Sequence, residues 1–404
     1  MSEGIELPIV SVVGAGTMGS GIAQVFAMKG YDVFIVDVSE EIIKKAIERI
    51  KWSLNKLVIR GEISEKDVDV TLNKIKTTTS IAYAVKNSGL VIEAVPEDLS
   101  IKIAVFKEID KNAPRETIIA SNTSGLPIAA MAEVTSRPNK VIGMHWFNPP
   151  QIMRLIEVIK SKYTDDESVN AVMKISYQLG KIPILVKRDI RGFVANRLYR
   201  TIRYESFAMV LRGEYTPIEI DSMLKYKLKF PMGVFELADF TGVIEIEILE
   251  DKHFKELRNR YPEWEPHEEY VAFREYTLRL SKRYYEANLI GVKTGKGFYQ
   301  YPEPGKYAKP NIPESAGEKV EPLNVLAPAI NLAVWIVAQG IATSEECDLA
   351  LKLGYNLPKG LIKLGREYGV KAVTETLEYK MKRYKDLEYS KFYNPHPALQ
   401  DILK

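Results

Sequence analysis

The chain has 404 residues, too many for one hydrophobic core, so two or three domains are expected. Hydrophobic residues make up 46% and charged residues 27%, an ordinary balance for a folded globular protein, and the formal charge of +3 gives no general attraction to nucleic acid. The one cysteine, Cys347, excludes an internal disulfide and a cysteine-based zinc site; no metal site, membrane span or signal peptide is read, so a cytoplasmic protein is expected.

Apolar runs of strand character lie at 9–13, 33–36, 91–95, 117–120, 141–144 and 182–186, with helical patterns between them. That alternation is the signature of a parallel sheet covered on both faces. The charged stretch 40–73 interrupts it. Its apolar residues recur at helical spacing, which predicts a helical hairpin turning near Gly61. Beyond about residue 187 strand signals fade, and helices are expected at 196–211, 217–227 and 234–250. The segment 301–328, with Pro302, Pro304, Pro310, Pro313 and Pro322, reads as a linker. Helical patterns then resume to the end.

Gly213, Asp221, Lys225, Pro231, Gly233, Gly242 and Val243 recur at a constant offset of 127 as Gly340, Asp348, Lys352, Pro358, Gly360, Gly369 and Val370. A duplicated helical domain explains them. The expected organisation is therefore α/β at the N-terminus, residues 1–187, then an all-α region of two repeats, 188–311 and 312–404.

Gly14-Ala15-Gly16-Thr17-Met18-Gly19 follows the first strand and opens a helix. The first glycine permits the tight turn, the second lets backbone approach a pyrophosphate, and the third lets helix and strand pack closely. The phosphates would sit at the helix N-terminus, where free N–H groups and the helix dipole favour anions. The second strand ends at Asp37, placed to bind a ribose 2′-hydroxyl and to repel a 2′-phosphate. No arginine follows in Val38-Ser39-Glu40, so NAD is favoured over NADP, and FAD signatures are missing. These features define a Rossmann-type dinucleotide-binding domain.

Only four histidines occur, and His145 alone ends an apolar run, before Trp146-Phe147-Asn148-Pro149-Pro150. Ligands bind at the carboxyl ends of strands in open parallel sheets, and a histidine there can take a hydroxyl proton. Glu157 is a lone charge in the strand-like run 155–159. Buried, it needs a partner, and an imidazole serves well. A capping histidine with a surface glutamate is the plain alternative.

Ser121-Asn122-Thr123-Ser124, Gly143-Met144-His145-Trp146-Phe147-Asn148-Pro149-Pro150 and Leu155-Ile156-Glu157-Val158-Ile159 resemble motifs of the 3-hydroxyacyl-CoA dehydrogenase family. So do Gly192-Phe193-Val194-Ala195-Asn196-Arg197, Pro231-Met232-Gly233-Val234-Phe235-Glu236-Leu237 and Lys293-Thr294-Gly295-Lys296-Gly297-Phe298-Tyr299. The remainder is similar to the second copy of the helical domain in multifunctional fatty-acid oxidation enzymes. The resemblance implies His145 as catalytic base, Glu157 as its partner, and Ser124 and Asn196 as contacts to the substrate's 3-oxygen and thioester region. It implies cofactor contacts from Glu97, Lys102, Asn148 and Lys293, besides the glycine turn and Asp37. It places Ser53 and Arg60 where the family binds coenzyme A phosphate; the family uses lysine at the latter place, and arginine keeps the charge.

Arg191, Trp146, Val234 and Gly125 depart from the family pattern, and none touches the dyad. The second repeat lacks the Gly-Phe-x-x-Asn-Arg motif, so it reads as scaffold rather than a second active site. The resulting expectation is NAD-dependent oxidation of a short (S)-3-hydroxyacyl-CoA such as 3-hydroxybutyryl-CoA; the apolar C-terminal helices are expected to pack either on their repeat copy or on a second subunit, as a homodimer. The alternatives are a dehydrogenase of a CoA-free hydroxy acid or sugar acid and a non-catalytic relative.

Overall fold

A computed structural model describes residues 9–404. The chain divides between Phe193 and Val194 into two compact units. The first contains β1 (Ile9–Val13), α1 (Thr17–Met28), β2 (Asp32–Val36), α2 (Glu40–Ile59), α3 (Glu65–Asn73), β3 (Ile75–Thr78), α4 (Ile81–Val85), β4 (Leu90–Glu93) and α5 (Leu99–Asn112). It continues with β5 (Ile118–Ser121), α6 (Ile128–Ala132), β6 (Val141–Trp146), β7 (Leu155–Ile159), α7 (Asp166–Gln178) and β8 (Ile182–Val186).

The strands form one sheet in the order β3-β2-β1-β4-β5-β6-β7-β8. Every residue of β4, β5, β6 and β7 is buried, as helices on both faces require. The expected all-parallel sheet is corrected at one place, where β7 runs antiparallel to β6. The reason is the connection: residues 147–154 contain no crossover helix, and a parallel return needs one. β8 is parallel to β7 and so shares its reversed direction. β3 escaped the sequence reading because Ile75-Lys76-Thr77-Thr78 lies at the sheet edge and is largely polar. The hairpin at 40–73 is present as α2 and α3, with Gly61 at φ +71° in the turn and Ser64 capping α3.

The second unit is helical: α8 (Ala195–Leu211), α9 (Pro217–Tyr226), α10 (Val234–Thr241), α11 (Val243–Arg260), α12 (Glu268–Glu286), α13 (Pro322–Ala338), α14 (Ser344–Gly354), α15 (Leu361–Tyr368), α16 (Val370–Arg383) and α17 (Leu399–Leu403). The single helix expected over 234–250 is broken at Gly242, which sits at φ 68° and ψ 30° and turns the chain from α10 into α11. The linker expectation also needs correction. Pro322 is the first residue of α13 and Pro328 lies inside it. The part before it is strapped to α9: Ser222 Oγ donates to the carbonyls of Pro313 and Glu314 at 2.7 and 2.9 Å, and Tyr226 donates to that of Ile312 at 3.0 Å.

The 127-residue offset relates the first residues of α8, α9, α10 and α11 to those of α13, α14, α15 and α16. Local chemistry follows it. Thr216 with Glu219 and Thr343 with Glu346 form capping boxes. Asp221 accepts from the backbone N–H groups of Phe235 and Glu236 at 3.0 and 2.8 Å, and Asp348 from those of Ile362 and Lys363 at 2.9 and 3.1 Å. Each aspartate thus caps the next short helix, and a glycine lies under each carboxylate. A Cβ added at Gly233 or Gly360 would come within 2.1 Å of Asp221 or Asp348. Because these carboxyls are fixed by their bonds, they have little room to yield. Gly233→Ala and Gly360→Ala are each expected to destabilise the protein by about 1–3 kcal/mol, the usual overpacking range. Urea denaturation checks this, and unchanged midpoints would refute it.

Candidate active site

The glycine turn is built as the sequence implies. Gly14 has φ +106°, and a Cβ there would meet the Ala94 carbonyl oxygen at 2.5 Å. At Gly19 a Cβ would lie 1.8 Å from the Gly14 oxygen, so the close helix–strand packing needs glycine. Gly16 has nothing within 4 Å of an added Cβ. It is the N-cap of α1 and supplies no capping side chain, so the N–H groups of Thr17 and Met18 belong to a helix end open to an anion.

Asp37 stands at the end of β2 and organises this turn. Its Oδ2 accepts from Ala15 N at 2.6 Å and its Oδ1 from Val38 N at 2.8 Å. On the other side of the same residue, Arg49 of α2 donates to the Ala15 carbonyl. Sequence reasoning missed Arg49 because nothing in a long amphipathic helix marks which charge turns inward. An uncapped helix end, an open glycine and a strand-end carboxylate are a fit for the pyrophosphate and ribose of NAD.

A second cluster surrounds Ser124. Glu97 Oε1 accepts from Thr123 Oγ1 at 2.6 Å, Ser124 N at 2.9 Å, Ser124 Oγ at 3.2 Å and Gly125 N at 3.2 Å. Lys102 stands behind it, 3.3 Å from Glu97 and 2.6 Å from Glu93. Lys102 is 1% exposed and Glu93 0%. The Lys102 ammonium pairs with these two glutamates, of which Glu97 is partly open to solvent, and donates to the Val95 carbonyl at 3.3 Å. Glu93 also accepts from Ser121 Oγ at 2.6 Å. Burial raises its pKa, and Lys102 and Ser121 oppose that rise. Glu93 was legible by the same sign as Glu157, a lone charge in an apolar strand run, but was not singled out.

β6 and β7 pair so that His145 lies directly opposite Glu157. His145 Nδ1 is 2.8 Å from Glu157 Oε2. Both are buried, with side-chain exposures of 6% and 0%. The rings of Phe147 and Phe193 flank the imidazole at 4.6 and 5.6 Å. Asn122 Oδ1 accepts from Trp146 N at 2.8 Å and ties the end of β5 to the residue after His145.

The remaining expected site residues lie on several elements. Asn148 is exposed in the connection between β6 and β7. Ser53 is buried on α2, and Arg60, at its C-cap, is exposed with Glu62 3.8 Å away. Asn196 and Lys293 belong to the second unit. Asn196 lies in the first turn of α8, and Lys293 pairs with Glu245 at 2.6 Å.

A Rossmann-like domain with a dinucleotide turn, followed by a helical region, defines a dinucleotide-binding protein. Comparison with known proteins gives the family. Residues 9–190 match the 3-hydroxyacyl-CoA dehydrogenase NAD-binding domain. Residues 192–301 and again 324–404 match the C-terminal domain of 3-hydroxyacyl-CoA dehydrogenase. A probable 3-hydroxybutyryl-CoA dehydrogenase of Bacillus subtilis is 36% identical over 300 residues, 74% of this chain and 99% of that protein. The human mitochondrial hydroxyacyl-coenzyme A dehydrogenase is 37% identical over 297 residues, 72% of this chain and 90% of that protein. The crystal structure of 3-hydroxybutyryl-CoA dehydrogenase from Escherichia coli K12 covers 98% of both chains with a TM-score of 0.83; at 24% identity it speaks for the fold. The chain belongs to the 3-hydroxyacyl-CoA dehydrogenase family, and its activity is NAD-dependent 3-hydroxyacyl-CoA dehydrogenation.

Two expectations follow from this geometry. Asp37→Ala should lower kcat/KM for NAD by roughly 10–100-fold, the weight of one or two hydrogen bonds to a charged group. It should also narrow the preference over NADP, since a repulsive charge is removed. Steady-state kinetics with both cofactors test it, and an unaltered ratio would count against the assignment. Lys102→Met should destabilise the first unit by about 3–5 kcal/mol, because it strands the buried Glu93 without its cation. Denaturant unfolding reads that loss; a variant as stable as the parent would show that Glu93 needs no cation.

Proposed function

We propose that this enzyme oxidises short-chain (S)-3-hydroxyacyl-CoA, such as 3-hydroxybutyryl-CoA, through a His145–Glu157 dyad. The observation that carries the dyad is the 2.8 Å contact between Nδ1 and the buried carboxylate. A carboxylate only accepts hydrogen bonds, so Nδ1 holds the proton and Nε2 keeps its lone pair. Nε2 is then the base that takes the proton of the substrate's 3-hydroxyl. Glu157 fixes the tautomer and stabilises the imidazolium that forms. Bound NAD supplies the hydride acceptor, and the reaction is (S)-3-hydroxyacyl-CoA + NAD⁺ ⇌ 3-oxoacyl-CoA + NADH + H⁺.

Ser124, held by Glu97, and Asn196 are read as hydrogen-bonding partners of the substrate's 3-oxygen and thioester region. Glu97, Lys102 and Asn148 are read as cofactor contacts. Lys293 is retained as a cofactor contact on family grounds. Ser53 and Arg60 are assigned to the coenzyme A phosphate. The short chain rests on the name of the Bacillus subtilis relative. The organisation read from the sequence, 1–187, 188–311 and 312–404, is retained as a functional division.

Gln at position 145 can still donate to Glu157, so His145→Gln removes the base without stranding the buried carboxylate. It should lower kcat by roughly 10²–10⁴, the usual range for a lost acid–base group, with little change in NAD affinity. Glu157→Gln should act by the same route. The double variant should be little worse than the worse single one, because the two side chains work as a unit. An NADH absorbance assay on 3-hydroxybutyryl-CoA, a long-chain 3-hydroxyacyl-CoA and free 3-hydroxybutyrate reads all of these outcomes. Near-normal turnover by His145→Gln would sink the dyad, and a preference for the long-chain ester would overturn the chain length.

A further inference from the structure

The second helical copy reaches one of the residues assigned to substrate. Tyr355, at the C-cap of α14, donates its hydroxyl to Asn196 Oδ1 at 2.6 Å. Its ring stacks on Tyr199 with centroids 4.0 Å apart and an interplanar angle of 3°. Asn196 and Tyr199 are three residues apart on α8, so they share a face one turn apart. One aromatic side chain from the second copy therefore covers that face, its ring fixed by one residue and its hydroxyl aimed at the other.

The duplication makes this contact one-sided. At the 127-residue offset, Leu323 stands in the second copy where α8 has Asn196. Leu326 stands where α8 has Tyr199, and Leu228 stands in the first copy where the second has Tyr355. The three polar or aromatic members of the cluster thus occur once per chain, arranged about one asparagine.

We propose that Tyr355 is a positioning residue for the reaction: its hydroxyl fixes the orientation of the Asn196 side-chain amide toward the substrate. An amide has two ends of opposite hydrogen-bonding character, and its reversal would turn a donor into an acceptor. With Oδ1 accepting from the Tyr355 hydroxyl, the NH₂ group points away from that contact, and the hydrogen bond holds the amide in place. The second copy is then part of the catalytic unit, beyond the scaffold role read from sequence. The proposal rests on the assignment of Asn196 to substrate.

Tyr355→Phe removes the hydroxyl and keeps the ring on Tyr199, so the variant should fold with an unchanged melting temperature. Its kcat with 3-hydroxybutyryl-CoA should fall by about 5–50-fold, the weight of one oriented hydrogen bond, with KM for NAD unchanged. In an Asn196→Ala background the same substitution should have almost no further effect. An equal loss in both backgrounds would overturn the proposal, as would wild-type kcat in Tyr355→Phe when Asn196→Ala is impaired. Wild-type turnover by Asn196→Ala would instead remove the assignment of Asn196, and this proposal with it.

Discussion

The antiparallel pairing of β7 with β6 is the constraint on which the contact between His145 and Glu157 depends. In a parallel pair, a residue 12 positions further along the chain would still lie within the crossover connection. Here the chain returns directly, and the register sets His145 opposite Glu157 across two buried strands. The backbone ladder, rather than a mobile loop, fixes the distance between imidazole and carboxylate. A shift of one residue would turn Glu157 to the other face of the sheet and leave a charge among helices.

The same physics recurs where the sheet carries other charges. A buried carboxylate is tolerated only with a cation or several donors. Glu93 has Lys102 and Ser121, and the pair lends support to Glu97 and the Ser124 turn. In the helical unit, α8 presents Arg197, Arg200 and Arg203 at helical spacing, paired with Glu265, Glu250 and Glu247 at 2.8, 2.8 and 2.5 Å. Asn196 and Tyr199 sit on this strongly anchored helix, so a rigid element presents the amide assigned to substrate.

The duplicated helices show how a repeat can keep its frame and change its chemistry. Asp221 and Asp348 cap equivalent helices, each over a glycine that leaves room for the carboxylate. Their surroundings differ. Asp221 also receives the Tyr299 hydroxyl at 2.8 Å and is fully buried, and burial pushes its pKa up to about 7. Asp348 is less enclosed; burial raises its pKa, and the Ile362 and Lys363 N–H groups, with Arg366 and Lys352, oppose that rise. The frame is held by backbone capping that both copies need. Tyr355, Leu323 and Leu228 lie outside that frame and were free to diverge.

The sequence by itself determined the features that rest on local rules. Strand runs, helical periodicity, the three glycines of the dinucleotide turn, Asp37 at a strand end and the 127-residue repeat are each set by spacing or backbone conformation. They are legible in the order of the residues alone, and the family motifs add His145 and Glu157 by position. Tertiary structure decided the rest. The edge strand at 75–78 is held by its neighbour β2 rather than by its own composition. The reversal of β7 depends on which strand it meets, and the break at Gly242 on a backbone angle that a helical pattern conceals. Lys102 is held between Glu93 and Glu97 because a buried carboxylate demands a cation wherever the fold puts it. Tyr355 and Asn196 are 159 residues apart, and only the packing of one helical copy on the other brings them within a hydrogen bond.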